Sequence, residues 1–238
     1  MFKVASRILL AGTFFAGGYV TMVRPWPTSF TMFDVERQKN LFKYGKRFNN
    51  DVVIQSIRQS KAFQAYAKDE GYKLITHSEI LPEQMLTNHV SQGIMAGERH
   101  LEIDPIVFLD EEGGRIRVFY QLGSDLVGSD NKIHNGLIAT LLDEQLCLCG
   151  FKKLPSGKGV TAQLTINFEN KVDPGSTVVL KGQVMEAKGR KCIIKGNIET
   201  LSYNDRQEES TNIASAQCVL VEPKWFKYLS WLKVFDTV

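Results

Sequence analysis

The chain has 238 residues, 43% of them hydrophobic, and a formal net charge of +3. That suffices for one substantial core, and it favours one domain with an extension over two full domains. Lys3, Arg7 and Arg24 are the only charges before Asp34, so the remainder balances its 26 acidic residues with as many basic ones and carries no electrostatic footprint for nucleic acid.

The opening segment, "MFKVASRILLAGTFFAGGYVTMVRP", is basic, apolar and free of acid. Three readings fit residues 1–29. One is a mitochondrial presequence, basic and poor in acid. One is a membrane anchor, although the uncharged run Ile8–Val23 has 16 residues against the roughly 20 of a span. One is a secretory signal. The four cysteines, Cys147, Cys149, Cys192 and Cys218, form no C-x-x-C pair and read as small core hydrophobes, not as disulfides or zinc ligands, and no Asn-x-Ser/Thr acceptor occurs. Both facts weigh against secretion. The expected location is the mitochondrion, matrix or inner membrane, with any membrane association made through residues 8–23.

Residues 30–105 read as a helical and irregular extension. "DVVIQSIRQSKAFQAYAKDEG" has helical spacing, with Val53, Ile57, Phe63 and Tyr66 as a stripe and Gly71 as its stop. Residues 71–105 show no clear pattern. Their histidines, His77, His89 and His100, lack metal-ligand spacing and read as surface or satisfied residues, so no metal is expected.

From Ile106 the pattern is sheet. "PIVFLDEEGGRIRVFYQLG" gives two strands joined through Glu112-Gly113-Gly114. "NKIHNGLIATLLDEQLCLCG", residues 131–150, is apolar on nearly every side and reads as a buried helix that nonetheless carries Asp143 and Glu144 back to back. In "VTAQLTINF" the alternation puts Val160, Ala162, Leu164, Ile166 and Phe168 on one face and Thr161, Gln163, Thr165 and Asn167 on the other. Asp173-Pro174-Gly175 turns the chain. Two further strands flank the turn at Lys188-Gly189-Arg190, and "TNIASAQCVLVEP" closes the sheet by residue 222. The tail, 223–238, is amphipathic. A single apolar helix needs a sheet around it to bury every side, which makes the class α+β: a long antiparallel sheet wrapped around a central helix.

That order is the hot-dog arrangement. "GSDLVGSDNKIHNGLIATLLDE" resembles the PaaI-like acyl-CoA thioesterases, including their mitochondrial animal relatives. Gly123, Leu126 and Gly128 match the family's Gly-x-x-Leu-x-Gly connection, His134 and Gly136 its His-Gly-Gly step, and Asp143 the acid nine residues after the His. Gly159-Val160-Thr161 resembles a step whose hydroxyl reaches the acid across a dimer interface. Asn167 and the Gly189-Arg190-Lys191 turn resemble residues that contact the CoA portion. Asn135 replaces the first Gly after the His, and Glu169 stands where some relatives carry a ligand-binding Lys. The resemblance runs from about Ile106 to Val221.

It implies hydrolysis of acyl-CoA without a cofactor, by a homodimer or a dimer of dimers. Asp143 would be general base or nucleophile, with the Gly136 N–H polarising the carbonyl. His134 would position the carbonyl, and Thr161 the water or carboxylate. Asn135, Asn167, Arg190 and Lys191 would bind substrate. Glu144 reads as a second catalytic acid or, the favoured reading, as a structural partner for a turn or a basic side chain. The rival reading is a catalytically inactive hot-dog protein, tethered to a mitochondrial membrane as a binding or assembly factor. A hydratase is disfavoured, because no Asp-x-x-x-x-His arrangement of that type appears.

Overall fold

The computed structural model describes residues 49–81, 86, 89–202 and 210–226. The segment 8–23 and most of the tail lie outside the described residues. No helix among those described is long and apolar enough to cross a membrane.

Two short helices come first, α1 (Asp51–Gln59) and α2 (Lys61–Ala67). The single helical run expected over 51–71 is broken at Ser60. Its hydroxyl accepts from Phe63 N–H at 3.2 Å and donates to Ile57 O at 2.7 Å. Ser at an N-cap competes well for orphan backbone donors, so the chain ends one helix and starts another. Ile57 and Phe63 are buried by both pieces.

Among the described residues the sheet has seven antiparallel strands in the order β1-β2-β3-β5-β6-β7-β4. They are β1 (Lys73–Thr76), β2 (Ile106–Asp110), β3 (Arg115–Gln121), β4 (Val160–Phe168), β5 (Thr177–Lys188), β6 (Lys191–Thr200) and β7 (Asn212–Val221). β1 pairs with β2, so the sheet draws its first strand from the 30–105 stretch, and residue 106 is not where the sheet begins. A four-residue helix, α3 (His77–Ile80), follows β1, and a short π-turn spans Val90–Ile94.

One sheet face packs on the long helix α4 (Asn135–Phe151), which touches β3, β4, β5, β6 and β7. Val107, Val118, Tyr120, Leu180 and Ile198 from the sheet meet Ile138, Leu141, Leu142 and Leu146 from the helix. The opposite face carries a second cluster, in which Ile57 and Phe63 cover Phe108, Phe119 and Val179. The helix is apolar on nearly every side because the sheet spreads around it, as the sequence pattern requires.

The helix lies close to the sheet where two glycines pair across strands, Gly182 with Gly196. A Cβ on Gly196 would stand 2.6 Å from Leu146 Cδ2 and 2.5 Å from Lys181 O.

Candidate active site

His134 caps α4. Its φ and ψ of −68° and 130° are extended, and its Nδ1 accepts from Gly136 N–H at 2.9 Å. The Gly136 donor expected to polarise a carbonyl is thus already engaged by the neighbouring imidazole. Both residues lie at the surface end of the helix. Asn135 is held by Lys171, whose Nζ donates to its Oδ1 at 3.4 Å.

Asp143 stands seven residues further along, roughly 10 Å up the helix axis at 1.5 Å per residue. Within one chain, the helix start and the acid therefore do not meet on the same small group.

Thr161 does meet the acid, and within the same chain. Its hydroxyl donates to Asp143 Oδ1 at 2.8 Å. The expectation that this hydroxyl reaches the acid across a dimer interface is corrected: β4 packs beside α4 and delivers it directly. The expected strand alternation is corrected with it. Thr161 pairs with Leu220, and Leu164 pairs with Cys218. Three steps on β4 match two on β7, a β-bulge around Ala162. An extra residue turns everything on one side of it to the other face. Leu220 and Cys218 face the helix and are fully buried. Thr161 therefore shares the helix face with Leu164 and Ile166, where simple alternation placed it on the opposite one.

Thr161 has a second partner. Its Oγ1 lies 3.0 Å from Cys147 Sγ. A hydroxyl has one proton. Since that proton goes to Asp143, the Cys147 thiol donates to Thr161. Hydrogen bonding to Cys218, followed by burial, pushes the Cys147 thiol well above the ordinary thiol range.

Glu144 points elsewhere. It accepts from the Ser91 hydroxyl and N–H in the π-turn and lies 3.8 Å from His89 Nδ1. Burial first, then the neighbouring Asp143, raise its carboxyl, and the Ser91 bonds offset part of this. Nearby, His77 is buried against Gln92 and packs edge-on against the His89 ring. The sequence placed these histidines without a role; the fold gathers His77 and His89 beneath the helix. The two adjacent acids serve two different surroundings.

The remaining candidates fall at opposite ends of the sheet. Arg190 and Lys191 lie at the β5–β6 turn, in register with Val221 and so with Val160, beside the Thr161 end of β4. Arg190 Nη1 donates to Glu222 O at 2.8 Å. Asn167 lies at the far end of β4 and pairs with Ser215 on the face turned away from the helix. There Glu169 accepts from Ser215 at 2.6 Å. The structure thus joins Asp143 and Thr161 at one end, with Arg190 and Lys191 at that same end of the sheet. His134, Asn135 and Gly136 stand at the start of the helix, and Asn167 stands apart from both groups.

The model of the thioesterase superfamily matches residues 131–202, which hold the helix, β4, β5 and β6. MIOREX complex component 3 of Saccharomyces cerevisiae is 35% identical over 99% of this chain and 97% of its own length. The chain belongs to the thioesterase superfamily. Within this family it is similar to an uncharacterized mitochondrial protein of Candida albicans, 49% identical over 78% of this chain and 82% of that protein. An acyl-coenzyme A thioesterase of Bos taurus is 26% identical over 67% of this chain and 61% of its own. The hot-dog arrangement and the resemblance to PaaI-like thioesterases read from the sequence both hold.

Proposed function

We propose that the chain hydrolyses acyl-CoA thioesters as a mitochondrial homodimer. The observation that carries this is the Thr161–Asp143 hydrogen bond, a carboxylate held in place by a hydroxyl. Asp143 takes a proton from water, or attacks the thioester itself, and a positioned base of this kind contributes about 10²–10⁴ in rate.

The dimer supplies what one chain separates. Among the described residues β4 is an edge strand, and its terminal residues Val160 and Phe168 are exposed at 46% and 41%. A long, partly apolar edge is a template for pairing. Two β4 edges meeting antiparallel would bring the Phe168 end of one chain to the Val160 end of the other. That end carries the partner's helix start, since Ile133 N–H bonds Val172 O just beyond β4. The partner's helix N-terminus then faces Asp143. Its positive end polarises the thioester carbonyl, with the Gly136 N–H passing from the His134 ring to the oxyanion. Arg190 and Lys191, at the Asp143 end, meet CoA phosphates. Asn135 contributes from the partner. The mitochondrial relative from Candida albicans supports the location.

A second reading keeps the fold and drops the catalysis: an assembly factor within a mitochondrial complex. The name of the Saccharomyces relative, a complex component, favours it.

The deciding experiment is thiol release from acyl-CoAs of short to long chain by the protein and by its Asp143→Asn variant. Turnover by the parent, falling at least about 100-fold in the variant, supports the enzyme. Absence of turnover on every chain length, by folded dimeric protein that co-purifies with a complex, replaces it with the assembly reading.

A further inference from the structure

Beside the acid lies a set of donors that thioester hydrolysis does not require. Asp143 and Cys147 sit one turn apart on α4 and project from one helix face. Cys218 reaches toward them from β7, fully buried. One donor atom from each of the three lies within 4.8 Å of the other two. The Thr161 hydroxyl, 2.8 Å from Asp143 Oδ1 and 3.0 Å from Cys147 Sγ, stands at a fourth corner.

The geometry points to a binding site for a thiophilic divalent cation, Zn²⁺, held by Asp143, Cys147 and Cys218. Two sulfurs and one carboxylate oxygen form a donor set that zinc takes readily and that magnesium or calcium does not. Tetrahedral zinc, with thiolates at about 2.3 Å and a carboxylate oxygen at about 2.0–2.2 Å, sets its donors roughly 3.5–3.8 Å apart, so donors within 4.8 Å of one another close by about 1.3 Å at most. Two ligands one helical turn apart and a third from a packed strand need no backbone movement. The mouth is on the β4 side, where Asp143 and Thr161 are half-buried. Binding exchanges two S–H protons, released to solvent, for two Zn–S bonds. No electron moves, and the Thr161 hydroxyl or a water completes the shell.

Occupancy would take the carboxylate that the proposed hydrolysis uses, so zinc would act as an inhibitor of that site. The binding claim stands apart from the thioesterase reading; the inhibition claim rests on it.

Co²⁺ is the probe, because thiolate ligands give it a charge-transfer absorption and tetrahedral geometry gives it intense visible bands. Titration of the reduced full-length protein should develop both at one equivalent, and Zn²⁺ should bleach them. Cys147→Ser and Cys218→Ser should each weaken the charge-transfer band and lower Zn²⁺ affinity by about 100-fold, the upper end of what loss of a supporting contact alone costs a metal site. Cys192→Ser, a buried thiol outside the group of three donors, should change neither. If a serine variant fails to fold, Asp143→Asn keeps both thiols and should retain the charge-transfer band at reduced affinity. A protein that develops no cobalt absorption, or one whose absorption survives in the Cys147→Ser/Cys218→Ser double variant, overturns the site. Cobalt absorption without thioester turnover keeps the metal site and removes the enzyme reading. Turnover without cobalt absorption does the reverse. Where both hold, Zn²⁺ should stop hydrolysis and a chelator restore it; hydrolysis indifferent to bound Zn²⁺ overturns the inhibition.

Discussion

Thr161 Oγ1 lies 2.8 Å from Asp143 Oδ1 inside a single chain. The acid and its hydroxyl partner therefore belong to one packing unit, α4 against β4, and are set when the monomer folds. The hydroxyl orients the carboxylate through one hydrogen bond, and a bond to a charged group is worth about 1.5–3 kcal/mol. Thr161→Val should lower kcat by roughly 10–100-fold with little change in KM, and Thr161→Ser should recover most of it. Steady-state thiol release on all three proteins tests this. Equal rates in the valine variant and the parent would remove Thr161 from the mechanism.

The helix start and Asp143 are two turns apart on one helix, so complementary damage should be repaired by mixing. Gly136→Pro removes the N–H at the helix start, and Asp143→Asn removes the acid. Each homodimer should be inactive. A heterodimer of the two keeps one intact composite site out of two and should recover about half the activity of the parent dimer, as expected when one reaction centre draws on both subunits. Activity of purified heterodimer, made with two affinity tags, measures it. No recovery would place both groups in the same chain's site.

Glu144 gives a pH signature. Burial raises its folded carboxyl above the unfolded value, so the folded chain holds that proton more tightly. Stability from this group is full below the unfolded value, near 4.5, and falls as pH rises until the raised folded value is passed. Glu144→Gln, which carries no charge and still accepts from Ser91, escapes that loss. Urea midpoints measured from pH 4 to 8 should show the variant gaining on the parent as pH rises. A difference flat with pH would mean that the carboxyl is not raised.

Gly196 sets the distance between helix and sheet. A methyl there meets the carbonyl oxygen of Lys181 at 2.5 Å, and backbone cannot step aside as a side chain can. Gly196→Ala should cost about 3 kcal/mol, the upper end for overpacking a core, read from chemical denaturation. Gly175→Ala makes a useful contrast: its Cβ would meet nothing within 4 Å, but its φ of +80° imposes a backbone penalty in its place.

Much of this was legible in the residues. The 131–150 run announced a buried helix, and the Glu112-Gly113-Gly114 hairpin and the turn at Gly189 appear where the pattern puts them. The His134-to-Asp143 spacing located the helix start and the acid. Three things were not legible. The bulge around Ala162 leaves no mark in composition, because "VTAQLTINF" alternates cleanly and only the partner strand reveals the extra residue. The break at Ser60 interrupts a stripe that continues on both sides of it. The Ser91–His89 surroundings of Glu144 come from a segment with no periodicity, brought under the helix by tertiary contacts alone.

The bulge has a consequence for how such a chain can change. Loss of Ala162 would restore regular pairing between β4 and β7, with Thr161 still opposite Leu220 and Leu164 still opposite Cys218. Thr161 would then stand two residues from Leu164 on the same face, and its hydroxyl would stay beside Asp143. The strand can shed this residue and keep the acid's partner, a length change that the site does not feel.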